Sequence, residues 1–115
     1  MLVGEGQNDN KSTENSRAFA HYSASSIYLH KALAINCDLS YYLTNANKVG
    51  GDLMTNVDLL KEEVSLVAPN KVISLGNLAD HVLKKANIEH SKAFHPSFWK
   101  RFHFNELNEY ADLLR

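Results

Sequence analysis

Four short groups of glycine and polar residues follow apolar runs along this chain. They are Gly4-Glu5-Gly6-Gln7-Asn8, Asn45 with Asn47 and Lys48, Gly76-Asn77, and His95-Pro96-Ser97. Together they offer amide donors and acceptors, one imidazole, glycines that allow close backbone approach, and few fixed charges. That chemistry suits a planar, neutral, hydrogen-bonding ligand such as a nucleobase, and suits a bare metal ion poorly. Each group alone also has a plainer use, because every strand end needs turn chemistry: Gly4 and Gly6 for a tight turn, Asn45 and Asn77 as turn or capping residues, His95-Pro96 as a rigid corner. What distinguishes them is that all four follow predicted strands, and in an open α/β sheet ligands bind outside the carboxyl ends of the strands.

Other chemistries are excluded by count or spacing. The single cysteine, Cys37, rules out an internal disulfide, a CxxC redox pair and any multi-cysteine metal or iron–sulfur site. The six histidines (His21, His30, His81, His90, His95 and His103) show no ligand spacing such as HxxxH, so neither a metal nor another cofactor is expected. Twelve Lys and Arg against thirteen Asp and Glu leave a formal charge of −1. This excludes the strongly basic footprint of an obligate non-specific DNA binder, though not a local basic patch. No apolar run approaches the roughly 20 residues of a membrane helix, so no membrane partner is expected. Met1-Leu2-Val3 is too short for a signal sequence, and the expected compartment is cytoplasmic. At 115 residues the chain allows one domain, 1–115, with a single real core.

The elements that would position these groups follow from the apolar pattern. Met1-Leu2-Val3 reads as a short buried strand, and Asn8 to Ser16 as a polar surface loop. Ser23 to Ile35 turns helical, with Leu29, Ala32 and Leu33 available to face inward. Ser40 to Thr44 reads as a second strand. Asn56 is a candidate N-cap for a helix whose Val57, Leu60, Val64 and Val67 form one stripe, ended by Pro69-Asn70. Lys71 to Leu75 is a third strand, followed by a helix with Leu78, Ala79, Val82, Leu83 and Ala86 on one side. Ser91 to Phe94 reads as a fourth strand, and Asn105 can cap a last helix carrying Leu107, Tyr110, Ala111 and Leu114. Strands alternating with helices predict an α/β fold, three layers in α/β/α order around a short, mostly parallel four-stranded sheet.

The motifs themselves resemble those of the uracil-DNA glycosylase superfamily, most closely the branch whose first motif reads GEAPG and whose last reads HPSxxxR. Here the first is Gly4-Glu5-Gly6-Gln7-Asn8, and the last is His95-Pro96-Ser97-Phe98-Trp99-Lys100-Arg101, a full match. Tyr42-Leu43-Thr44-Asn45 followed by Lys48 is similar to the family strand ending in Thr-Asn. Val72-Ile73-Ser74-Leu75-Gly76 with Ala79 and Leu83 is similar to its strand and Leu-Gly segment, and Ser16-Arg17-Ala18-Phe19 sits near its Gly-Arg-Pro-Phe. The resemblance covers nearly the whole chain. It implies that Gly4, Gly6, Gln7 and Asn8 line a base pocket, that Phe19 stacks on a flipped base, and that Asn45 reads the pyrimidine edge. It implies further that His95 stabilises charge at the base O2, that Ser97 contacts phosphate, and that Phe98, Trp99, Lys100 and Arg101 press into the helix the base leaves. Trp99 and Phe98 have packing against the last helix as their alternative use.

The chain also departs from that pattern. Gly6 brings no side chain to position a water, Gln7 and Asn8 replace the motif Pro and Gly, and the four cluster cysteines are absent. Glu5 is the candidate general base, with Asp9 and Glu14 as alternatives. Val49-Gly50-Gly51-Asp52 stands where the family has an Arg-Pro-Pro loop, and the chain starts at the first strand without the usual leading helix. The resemblance therefore implies a DNA N-glycosylase acting on uracil or a related base, in single-stranded or base-flipped DNA. The alternative is an inactive module that sequesters a free nucleotide or a nucleic-acid end. A third possibility is a protein-interaction subunit keeping only the fold. A homo-oligomer is compatible with all three.

Overall fold

Leu2 and Val3 point to opposite faces of a strand, and both are fully buried. Successive strand residues can both be buried only when each face of the sheet is covered. The computed structural model describes residues 1–5, 23–47 and 52–115. Among them run, in order, β1 (Leu2–Gly4), α1 (Ala24–Ile35), β2 (Leu43–Asn45), α2 (Leu53–Val67), β3 (Ile73–Leu75), α3 (Asn77–Lys85), β4 (Ser91–Ala93), α4 (Pro96–His103) and α5 (Leu107–Leu113).

The four strands lie in the order β2-β1-β3-β4, and every pairing is parallel. Leu2, Ile73, Leu75 and Ala93 turn to one face, against Tyr28, Leu29 and Ala32 of α1, Trp99 of α4 and Tyr110 of α5. Val3 and Val72 turn to the other, against Val57 and Leu60 of α2 and Ala79, Val82 and Leu83 of α3. The result is the three-layer α/β/α arrangement. β1 leads outward to β2 on one side, and β3 leads outward to β4 on the other. The order thus reverses between β1 and β3, where such sheets leave a crevice at their carboxyl edge.

Local signals explain the helix starts, with corrections. Ser23 caps α1, its Oγ accepting from the Ser26 N–H at 3.2 Å. α2 is capped by Asp52, which accepts from the Thr55 N–H at 2.8 Å, and not by Asn56 as expected. A carboxylate at Asp52 gains from the helix dipole as well as the hydrogen bond, so the helix begins a turn earlier. Asn56 is buried inside α2 and donates through Nδ2 to Asn47 Oδ1 at 3.2 Å. The cap of α5 is Glu106 and not Asn105. Leu78 is exposed, so the inward stripe of α3 begins at Ala79. β2 starts at Leu43, later than Ser40.

α4 is an element beyond the helices expected. Only Pro96 and Trp99 of its eight residues are buried, and its apolar pair Phe98 and Phe102 faces outward. Its start was nonetheless encoded, since Pro at the first helical position is preorganised for helix and has no N–H to leave unpaired.

Candidate functional site

The parallel strands end together. Gly4 is level with Asn45, Val3 with Ser74 and Leu75 with Ala93. The segments after all four strands are therefore delivered to one edge, as the strand-end argument expects. Backbone bonds tie them there: Ala46 N–H to Gly4 O at 2.7 Å, Asn47 N–H to Glu5 O at 2.9 Å, and Gly76 N–H to Ala93 O at 3.1 Å.

The tightest convergence is around Gly76, between β3 and α3. Gly76 has φ +95° and ψ 174°, a conformation that essentially only glycine adopts. A Cβ built on it would lie 3.2 Å from Glu5 Oε1 and 3.4 Å from His95 Cβ. Residues from the ends of β1 and β4 thus meet over the missing side chain of the residue after β3. Glu5 and His95, 90 residues apart in sequence, both come against Gly76 next to the reversal point of the strand order.

His95 caps α4, an office usually held by Ser, Thr, Asp or Asn. Its Nδ1 lies 3.2 Å from the Ser97 N–H and 2.8 Å from Ser97 Oγ. A backbone amide can only donate, so Nδ1 is an acceptor and the proton of the neutral ring sits on Nε2. Burial pushes His95 below its ordinary range, against the opposing pull of the Glu5 carboxylate. The residue is therefore a neutral imidazole near pH 7, with its proton on Nε2. Phe94, just before it, is anchored by the Tyr110 hydroxyl, which donates to Phe94 O at 2.7 Å.

Of the other candidates, Gly4 is buried at the end of β1 and Asn45 is half-buried at the end of β2. Thr44, beside Asn45, is committed to the fold: its Oγ1 donates to Glu63 Oε1 at 2.7 Å while Tyr42 donates to Oε2 at 2.8 Å. Ser97 is exposed, with its hydroxyl engaged by His95. Gly6, Gln7, Asn8, Asp9, Glu14, Phe19 and Lys48 lie outside the described residues.

The segment after His95 divides. Trp99 is 8% exposed, sits in the core with its ring 5.5 Å from Tyr110, and donates from Nε1 to Glu106 O at 3.1 Å. It is thereby corrected from DNA-contacting candidate to core residue. Helical geometry forces the split, because α4 can turn only one stripe inward. Phe98 and Arg101 are exposed and Lys100 is half-buried.

Phe94 and Phe102 join Phe98 in an outward aromatic row, which the motif reading missed. The signal was present as Phe at i, i+4 and i+8. A second missed feature is the buried contact between Asp80 of α3 and His90 before β4.

A cleft of about 500 Å³ opens at the opposite, amino-terminal edge of the sheet among Met1, Tyr42, Lys71 and Arg115. It holds none of the candidate residues. No group of three or more His, Cys, Asp or Glu among the described residues is disposed to hold a metal ion, and none of the helices there is long and apolar enough to cross a membrane. No family model matches the chain, and no curated protein matches its sequence.

Proposed function

We propose that the carboxyl edge of the sheet binds a pyrimidine nucleobase, uracil or a close relative, and hydrolyses its N-glycosidic bond in DNA. The observation that carries the reading is the meeting of Glu5 and His95 over Gly76, one strand away from the Asn45 amide. The resemblance to uracil-DNA glycosylase motifs supports the same assignment.

The chemistry follows from the groups. The bond between the sugar C1′ and the base nitrogen breaks with its electron pair leaving on the base, so negative charge grows at the base O2. The Nε2–H of neutral His95 is the donor for that charge, and a positioned donor of this kind is worth roughly 100- to 1000-fold in rate. Asn45 pairs its amide with the hydrogen-bonding edge of the base. Water adds to the cationic C1′, and the Glu5 carboxylate takes the proton it releases. The products are an abasic sugar and the base anion, which takes up a proton from solvent as Glu5 gives its own back to solvent. Ser97 orients the His95 ring and contacts a flanking phosphate, while Phe98, Lys100 and Arg101 press into the helix that the flipped nucleotide leaves.

The test is single-turnover excision from a single-stranded oligonucleotide carrying one uracil, read by alkaline strand scission. Loss of about 100-fold or more in His95→Ala, with Asn45→Asp also impaired, is the expected result. Excision unchanged in both variants overturns these roles. A second reading is favoured by Gly6, which follows Glu5 without a side chain to hold the attacking water: the same pocket captures a free nucleotide without cutting it. Thermal stabilisation by a free pyrimidine nucleotide, without any excision, selects that reading.

A further inference from the structure

Phe94, Phe98 and Phe102 form a continuous row of rings on the outside of the molecule. Phe94 and Phe98 stack with centroids 5.2 Å apart and planes at 15°, and Phe98 and Phe102 follow at 4.9 Å. They are 50%, 45% and 62% exposed. Water-facing phenylalanines at consecutive turns cost hydrophobic free energy and need a use, since a large exposed apolar patch marks an interaction site.

The surroundings say what kind of partner. The guanidinium of Arg101 lies 5.8 Å above the Phe102 ring, and the Lys100 ammonium lies 5.8 Å from the Phe104 ring. α4 carries no acidic residue in its first turn and Lys100, Arg101 and His103 in its last. The row thus combines planar apolar faces with cations and starts at Phe94, the residue before His95. A single nucleic-acid strand needs both features, because its bases stack on aromatic rings while its phosphates seek Lys and Arg.

We propose that Phe94, Phe98 and Phe102, with Lys100 and Arg101, form a track that seats unpaired nucleotides leading to the carboxyl-edge site. The proposal rests on the nucleobase reading for the direction of the strand, and on the α4 surface alone for binding. In a duplex the base faces are already stacked on one another, so the track selects single strands.

The experiment is fluorescence anisotropy of the full chain with a labelled oligothymidylate of about 12 nucleotides, which contains no uracil. Phe98→Ala and Phe102→Ala are each expected to weaken binding about 5- to 150-fold, the range seen for loss of one stacked base. Phe98→Leu, which keeps the apolar bulk but loses the planar face, is expected to weaken it similarly. Arg101→Gln is expected to flatten the salt dependence. Thermal unfolding confirms that each variant is folded, as surface positions predict. Oligothymidylate binding equal in wild type and both alanine variants, or equal affinity for duplex, overturns the track. So does absence of binding accompanied by self-association that the alanine variants abolish, which assigns the face to a second copy of the chain. Failure of uracil excision with the track intact counts instead against the proposed activity.

Discussion

Glu5 and His95 approach the same point: a methyl group on Gly76 would touch the carboxylate of one at 3.2 Å and the Cβ of the other at 3.4 Å. The two residues are brought to Gly76 by parallel pairing of β1 and β3 and of β3 and β4.

Gly76→Ala is therefore expected to act twice. A non-glycine residue at φ +95° with extended ψ costs about 1–3 kcal/mol, visible as a lowered denaturation midpoint. The new methyl group also crowds the Glu5 carboxylate and the His95 side chain, so the His95 NMR signals should shift in the folded variant. Wild-type stability with unmoved His95 resonances would show that Gly76 is not required for their approach.

His95 should titrate below the ordinary histidine value of 6.5, because burial disfavours its charged form more than Glu5 favours it. The unfolded chain then takes up the proton more readily than the native one, so His95 contributes to loss of stability as pH falls through about 6.5 towards the folded value. Long-range proton–nitrogen NMR at pH 7 should show the Nε2–H tautomer, with Nδ1 as the accepting nitrogen. An Nδ1–H tautomer would contradict the cap.

Trp99 and Phe98, neighbours in sequence, should separate cleanly. Trp99→Ala removes a buried ring and is expected to cost about 3–5 kcal/mol in equilibrium unfolding. Phe98→Ala, on the open face, is expected to stay within about 0.5 kcal/mol of wild type. Equal losses would mean that Phe98 also supports the core.

Asp80 and His90 form a part-buried pair. His90 Nδ1 lies 2.7 Å from Ile88 O and Nε2 lies 2.8 Å from Asp80 Oδ1, so both ring nitrogens face acceptors. The hydrogen bond from His90, with Lys84 and Lys92 adding, holds the Asp80 carboxyl below its usual value of 3.8. A depressed carboxylate contributes stability above its unfolded pKa and loses it as pH falls through the folded one. Unfolding midpoints should thus fall as pH drops below about 4, and Asp80→Asn should flatten that limb. The substitution should also cost about 1 kcal/mol at pH 7, because a neutral amide oxygen accepts the His90 bond more weakly than a carboxylate does.

The sequence by itself determined the layers. Strand and helix periods alternate along it, and β-strand residues buried on both sides, such as Leu2 and Val3, demand helices above and below. It also determined which residues stand at strand ends, since the glycines, asparagines and His95-Pro96 punctuate the apolar runs. Helix α4 was half legible, in Pro96 and in the spacing of Phe98 and Phe102, but that apolar pair faces water, so it did not read as a core-facing stripe. The tertiary structure decided what local pattern does not carry: the order β2-β1-β3-β4, hence that Glu5 and His95 flank Gly76, that Trp99 turns inward while Phe98 turns outward, and that Asp80 meets His90. Periodicity reports which face of an element is buried. Strand order and side-chain meetings depend on pairing between segments far apart in the chain, and that pairing is set by the packing of the whole core.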